Sequence, residues 1–348
     1  MSPDPAMNSD PAMNSDPTAA AANGAGRAPV LSVRNLHTAV ATPDGSFDVV
    51  RDVSFDINPN EVLCLVGESG CGKTITALSI MRLLPTPPVR ITSGEVVFDG
   101  TDLTQLPERR VRDVRSERIS MIFQDPLTSL DPVFTVGQVM TEVIRTHRDV
   151  TKAAAREMSV DILRAVGLPA PAERFDSYPH ELSGGMRQRV MIATALVLDP
   201  EILIADEPTT ALDVTVQAQI LERLRSEQQG RHMSMLLITH DLAVVASIAD
   251  RVAVMYAGEI VEEAPVDELF ADPRHPYTQG LLRALPHVSR KRRELVPIAG
   301  LVPPAQMMPP GCRFAPRCPH ALERCWDEHP AYEKNHGVGL RCFNPQPF

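Results

Sequence analysis

The sequence predicts an α/β fold: a mostly parallel sheet with helices on both faces, a β-rich N-terminal subdomain, a helical insertion, and a Cys-containing C-terminal extension. Three observations predict it. Apolar strands alternate with helical stretches from residue 201 to residue 256. A glycine-rich turn ending in Gly72-Lys73-Thr74 sits between an apolar strand and a helix. Strand signals fade between about residues 124 and 182, where two helical periodicities take over.

Residues 1–29 repeat the hexapeptide Pro-Ala-Met-Asn-Ser-Asp from Pro5 and again from Pro11, then run into Ala and Gly. Such a segment buries too little apolar area to offset its ordering entropy, so a disordered tail is expected. Short β-rich runs follow at 31–36, 48–57 and 61–66, with Pro59-Asn60 marking a turn. The first helix is expected over 74–84. In the insertion, about 125–182, helices are expected over 136–147 and 152–166, the second stopping at Gly167. Strands at 201–206, 234–239 and 251–256 then alternate with helices at 214–228 and 242–248. From about residue 286 to 348 the composition turns Pro-rich and a cysteine cluster begins, which sets this stretch apart from the domain spanning 30–285.

Composition narrows the function classes. Apolar residues make up 43% and charged residues 22%, the balance of an ordinary globular protein. A net charge of −10 argues against a nucleic-acid backbone as the main partner, because phosphate neutralisation needs a surplus of Lys and Arg, and leaves room only for a local basic patch. No apolar run approaches the ~20 residues of a membrane-spanning helix, and no basic region followed by an apolar run opens the chain. Residence in the cytoplasm is the expectation.

The residues Gly67-Glu68-Ser69-Gly70-Cys71-Gly72-Lys73-Thr74 fit G-x-x-x-x-G-K-[ST], the phosphate-cradling loop of P-loop NTPases. Glycines let the backbone N–H groups turn inward, the helix N-terminus adds positive potential, Lys73 reaches the terminal phosphates and the Thr74 hydroxyl suits Mg²⁺. The strand ending at Ala205 delivers Asp206 and Glu207 to the carboxyl edge of the sheet, where open α/β folds bind ligands. Two adjacent acids there suit two roles, Asp206 toward Mg²⁺ and Glu207 toward the attacking water.

Leu182-Ser183-Gly184-Gly185-Met186-Arg187-Gln188-Arg189 resembles the signature sequence of ATP-binding-cassette (ABC) proteins. The resemblance spans about residues 31–285. It implies an ABC-type nucleotide-binding domain in which Ser183, Gly184 and Gly185 meet the γ-phosphate of ATP bound to an opposite ATPase subunit. It further implies that Gln124 touches Mg²⁺ and links the site to membrane subunits, that Ala211-Leu212-Asp213 crosses the dimer interface, and that His240 contacts the γ-phosphate. The family's early aromatic for stacking on adenine is missing from 36–45, which leaves His37, Val40 and nearby Phe47.

Cys312, Cys318, Cys325 and Cys342 have the spacing C-x₅-C-x₆-C-x₁₆-C, which matches neither paired C-x₂-C zinc ribbons nor ferredoxins. With Asp125-Pro-Leu-Thr-Ser-Leu-Asp-Pro132 and His275-Pro-Tyr-Thr-Gln-Gly280, this tail resembles that of the oligopeptide, dipeptide and nickel importer ATPases. The resemblance implies a [4Fe–4S] cluster on the four cysteines; Zn²⁺ or reduced structural thiols are the alternatives. It also implies a peripheral ATPase on the cytoplasmic face of the cell membrane. Its partners would be transmembrane permease subunits, a second ATPase subunit and an extracellular substrate-binding protein, and its work peptide uptake. A nickel or other solute importer is the alternative. A soluble non-transport ABC protein is disfavoured, because the motifs occur once and no heptad run is sustained.

Overall fold

The computed structural model describes residues 28–43, 45–125, 129–209, 213–284, 298–335 and 337–348. Most of the expected N-terminal tail, the centre of the Asp125 to Pro132 motif, Ala211-Leu212 and the boundary expected at 285–286 lie outside them.

Two sheets organise the chain. Strands β1 (Leu31–Thr42), β2 (Gly45–Ile57), β4 (Val89–Phe98) and β5 (Thr101–Asp102) form an antiparallel sheet in the order β2-β1-β4-β5. The larger sheet contains β3 (Val62–Val66), β6 (Ile119–Ile122), β7 (Ile202–Asp206), β8 (Ser234–Thr239), β9 (Arg251–Tyr256), β10 (Glu259–Pro265), β11 (Glu333–Asn335) and β12 (Val338–Leu340), in the order β11-β12-β10-β9-β3-β8-β7-β6. From β9 to β6 every pairing is parallel. Every residue of β3, β7 and β8 is buried. This is why they read as unbroken apolar runs: a parallel sheet covered on both faces has no wet side to mark with polar residues.

The insertion folds as expected. Helix Val136–His147 opens with a capping box: Thr135 Oγ1 accepts from Gln138 N–H at 3.3 Å and Gln138 Oε1 accepts from Thr135 N–H at 2.8 Å. Helix Lys152–Ala165 packs beside it, capped by Thr151. Gly137 is demanded by close packing, since a Cβ there would lie 2.1 Å from the Phe175 ring.

Sequence patterning did not foresee how the tail docks. The β11–β12 hairpin extends the main sheet, Leu340 pairing with Glu262 and Gly339 with Glu263. Buried charges join the two parts. Arg341 Nη2 lies 2.8 Å from Asp52 Oδ2, Arg313 Nε lies 3.2 Å from Glu259, and the fully buried Glu263 accepts from Arg251, Tyr332 and Lys334 at 2.7–2.9 Å. Charges this deep persist because each is paired, and removing one partner strands the other.

The expected metal centre needs correction. Cys312, Cys318, Cys325 and Cys342 are free thiols, and among the described residues no group of three or more His, Cys, Asp or Glu is arranged to hold a metal ion. Neither a [4Fe–4S] cluster nor Zn²⁺ fits. Burial pushes the Cys312 thiol up to about 12 and the Cys342 thiol up to about 11, and raises Cys318 as well. Their side chains serve as small apolar fillers: Cys312 and Cys318 pack against the main core and Cys325 is buried.

His275 caps helix Pro276–Arg283, its Nδ1 accepting from Tyr277 N–H at 3.0 Å, and burial holds its pKa down to about 3. The unfolded chain takes up a proton near pH 6.5, whereas the folded chain resists protonation to about pH 3. The stability this contributes is therefore complete above pH 6.5 and is lost as pH falls through that window. His275→Asn keeps a capping acceptor without titrating. On going from pH 7.5 to 5, the wild type should lose about 2 kcal/mol relative to the variant in denaturant melts. A difference that does not change with pH would remove His275 from the account.

Candidate functional site

The loop from Gly67 to Thr74 joins β3 to helix Lys73–Ile80. Two neighbours force its glycines. A Cβ on Gly67 would sit 2.1 Å from the Met255 carbonyl oxygen, and one on Gly72, whose φ is +107°, would sit 2.7 Å from that of Val49. Ser69 and Gly70 face solvent, and a Cβ on Gly70 would meet nothing within 4 Å. The Lys73 side chain lies back along the loop, Nζ donating to the carbonyls of Gly67 at 2.8 Å and Glu68 at 3.0 Å. Cys71 is buried beneath it, Sγ 3.8 Å from Nζ, and burial raises its thiol pKa. An ammonium held by two carbonyl oxygens and a thiol is placed to exchange them for phosphate oxygens.

Across the sheet edge, Asp206 ends β7 with its carboxylate buried, and its Oδ1 has no hydrogen-bond partner. Burial pushes its pKa above the usual carboxylate range; the Thr74 hydroxyl opposes this, Glu207 adds to it and Lys73 again opposes. An orphaned, desolvated carboxylate oxygen beside a threonine hydroxyl suits a hard cation, and the donor set fits Mg²⁺.

Glu207 follows with φ at +46°, a left-handed conformation costly for any residue with a Cβ. Its N–H donates to the Ile238 carbonyl at 2.9 Å, anchoring the turn to β8. The carboxylate, 9% exposed, receives Gln124 Nε2 at 3.3 Å on one oxygen and lies 3.2 Å from His240 Nδ1 on the other. Thus Gln124 from the end of β6, Glu207 from β7 and His240 from β8 converge at one edge of the sheet. His240 remains 61% exposed toward the open side.

Ser183 caps helix Gly184–Leu196, its Oγ accepting from Met186 N–H at 3.4 Å. Ser183 and Gly184 are exposed, and a Cβ on Gly184 would meet nothing within 4 Å. Among the described residues no hydrogen bond or ion pair joins this segment to the Gly67–Thr74 loop of the same chain. Asp213, also exposed, caps helix Val214–Arg231 through Val216 N–H at 3.0 Å. Gln188, quoted in the sequence only as part of a motif, is buried and donates to the carbonyl of Pro208, tying the Ser183 helix to the residue after Glu207.

A P-loop on a parallel sheet, an acidic pair at the end of β7 in the same sheet and a helical insertion carrying an exposed Ser-Gly-Gly helix start define an ATP-binding-cassette ATPase. Comparison with known proteins agrees. The ABC transporter family matches residues 50–210, and the oligopeptide/dipeptide transporter C-terminal region matches residues 261–325. The dipeptide transport ATP-binding protein DppD of Bacillus subtilis is 50% identical over 296 residues, 85% of this chain and 88% of that one. The oligopeptide transport ATP-binding protein OppD of the same organism is 49% identical over 302 residues, 86% of this chain and 84% of that one. Among solved structures, the dimeric structure of MJ0796, a bacterial ABC transporter cassette, superposes with a TM-score of 0.62 at 25% identity, covering 68% of this chain and 98% of that one. CbiO1 from Clostridium perfringens, part of the ABC transporter complex cbiONQ, superposes at 0.59 with 27% identity, covering 70% and 91%.

The chain belongs to the ABC transporter family, in the branch of oligopeptide/dipeptide transport ATP-binding proteins. It is a transport ATPase that uses ATP and Mg²⁺. No helix of its described residues is long and apolar enough to cross a membrane.

Proposed function

We propose that this chain powers uptake of peptides through a membrane importer, bound peripherally to its permeases at the cytoplasmic face and fed by an extracellular substrate-binding protein. The convergence of Gln124, Glu207 and His240 beside Asp206 and the Lys73 loop carries the catalytic part of this reading. Likeness to peptide transport subunits over most of the chain supports the cargo.

In this reading the loop N–H groups from Ser69 to Thr74 and the Lys73 ammonium grip the triphosphate. Glu207 polarises the attacking water, which its locked backbone and two flanking contacts hold in line with the γ-phosphate. His240, free on its outer side, reaches the γ-phosphate. Thr74, Asp206 and Gln124 would hold Mg²⁺, which when bound neutralises charge on the β- and γ-phosphates. Ser183 and the glycine pair, which among the described residues make no hydrogen bond or ion pair to their own Lys73 loop, serve the nucleotide of the opposing subunit, while Asp213 lies along the seam. Phe47 pairs with Val40 across the β1–β2 ladder, two residues from the Val49 carbonyl that touches Gly72, and is the ring best placed to cover adenine.

The test is reconstitution of the assembled importer in vesicles with its binding protein. ATP-dependent accumulation of labelled di- or oligopeptide is the expected result. ATP hydrolysis stimulated only by a non-peptide solute would overturn the peptide assignment while leaving the ATPase intact.

A further inference from the structure

Glu68 opens the variable stretch of the phosphate-binding loop, yet its contacts run to the far end of the chain. Its carboxylate takes a two-pronged ion pair from Arg317, with Nη1–Oε2 at 2.6 Å and Nη2–Oε1 at 3.0 Å. Its backbone N–H donates to the Tyr277 hydroxyl at 3.0 Å. Its carbonyl accepts one of the two Lys73 hydrogen bonds to backbone. A single loop residue is thus held by side chain, N–H and carbonyl.

Arg317 is itself fixed. Its side chain is 4% exposed, its Nε donates to the Ala299 carbonyl at 3.1 Å, and its guanidinium lies 5.7 Å from the Tyr256 ring centroid. Tyr256, Tyr277 and Phe314 pack edge to face or tilted around that spot, with centroids 4.7–5.4 Å apart, so the platform beneath Arg317 and Tyr277 is rigid. A guanidinium fork locked on both sides matches a carboxylate with little entropy left to lose.

We propose that Arg317, supplied by the C-terminal extension, is a positioning residue for ATP: it sets the Gly67–Thr74 loop through Glu68 and neutralises that carboxylate where the triphosphate must bind. This deepens the nucleotide-binding reading above and rests on it. Two physical consequences follow. Without the cation, Glu68 presents a bare negative charge within the loop that receives a polyanion, and because its side chain is 32% exposed the repulsion is open to screening by salt. Freed of its anchor, the Glu68 carbonyl no longer guides Lys73. By reciprocity, ATP binding strengthens docking of the extension, which couples the tail to the nucleotide state.

The experiment uses the full chain with MgATP and compares wild type, Arg317→Gln, Arg317→Lys, Glu68→Gln and the Arg317→Gln/Glu68→Gln double variant. Arg317→Gln should raise KM for ATP by about tenfold while kcat changes by less than about threefold, the signature of lost ground-state binding. Its KM should fall toward the wild-type value as salt is raised, because the repulsion is screened. The double variant should recover most of the affinity, and Arg317→Lys, which keeps the charge but not the fork, should lose only about threefold. An ordinary tether for the tail would give a defect that neither salt nor Glu68→Gln relieves, and that outcome overturns the proposal. Wild-type KM in both Arg317 variants overturns it too. Should Arg317→Gln fail to fold, Arg317→Lys decides alone: an unchanged KM rejects the proposal and a moderate rise sustains it. A wild-type chain that binds no MgATP would instead sink the nucleotide reading itself.

Discussion

Glu207→Gln is expected to lower steady-state ATP hydrolysis by about 10²–10⁴-fold, the range for losing a positioned general base, while ATP binding stays near wild type. The amide is isosteric with the carboxylate, so the left-handed backbone at φ +46° and the approaches of Gln124 at 3.3 Å and His240 at 3.2 Å need not change. What is lost is the negative charge that draws a proton from water. Because ATP then persists, the two ATPase subunits should stay clamped around it, and sizing in MgATP should show a dimer that the wild type leaves as turnover proceeds. Phosphate release measured beside nucleotide binding separates the two effects. Undiminished turnover would take the catalytic role away from Glu207.

Lys73→Ala is the complementary case, in which binding itself should fail. The ammonium is buried and donates to two loop carbonyls and to Cys71 Sγ, neutral partners that phosphate oxygens can replace. Truncating one side of a desolvated charged contact costs about 2–5 kcal/mol, which weakens ATP binding by roughly 30- to 4,000-fold. The thermal midpoint without nucleotide should move much less, because only neutral hydrogen bonds to two backbone carbonyls and to Cys71 Sγ disappear. Titration with a fluorescent ATP analogue checks the first expectation and a nucleotide-free melt checks the second. A dissociation constant within threefold of wild type would mean that Lys73 does not reach the phosphates.

Both expectations draw on residues that local spacing exposed. Helices Val136–His147 and Leu242–Ile248 and strands Ser234–Thr239 and Arg251–Tyr256 have the bounds their periodicity implies. There the caps, apolar repeat and turn residues all agree, so each element is specified within its own window. Strands β4 and β10 went unread. β10 carries Glu259, Glu262 and Glu263 within seven residues and resembles a solvated edge, yet all three are buried. Arg251, Arg313, Lys334 and His329 from distant parts of the chain satisfy Glu259 and Glu263, and backbone N–H groups of Arg274 and His275 satisfy Glu262. The cysteines misled for the opposite reason: four thiols gathered in the tail suggested a metal centre, but no group of three or more among the described residues is arranged to hold an ion, and Cys312, Cys318 and Cys325 pack into the core, with Leu322 N–H donating to Cys325 Sγ at 3.4 Å.

By itself, then, the sequence determined the class of fold and the chemistry of the nucleotide edge, because a phosphate loop, an acidic strand end and a helix cap are built from neighbours and obey short-range sterics and hydrogen bonding. Only the tertiary structure decided which charges are buried together, that the tail completes the main sheet, and that Arg317 grips a loop residue 249 positions away. Desolvation is the reason. The worth of a charged contact depends on the water excluded around it, and that exclusion exists only once the chain has closed.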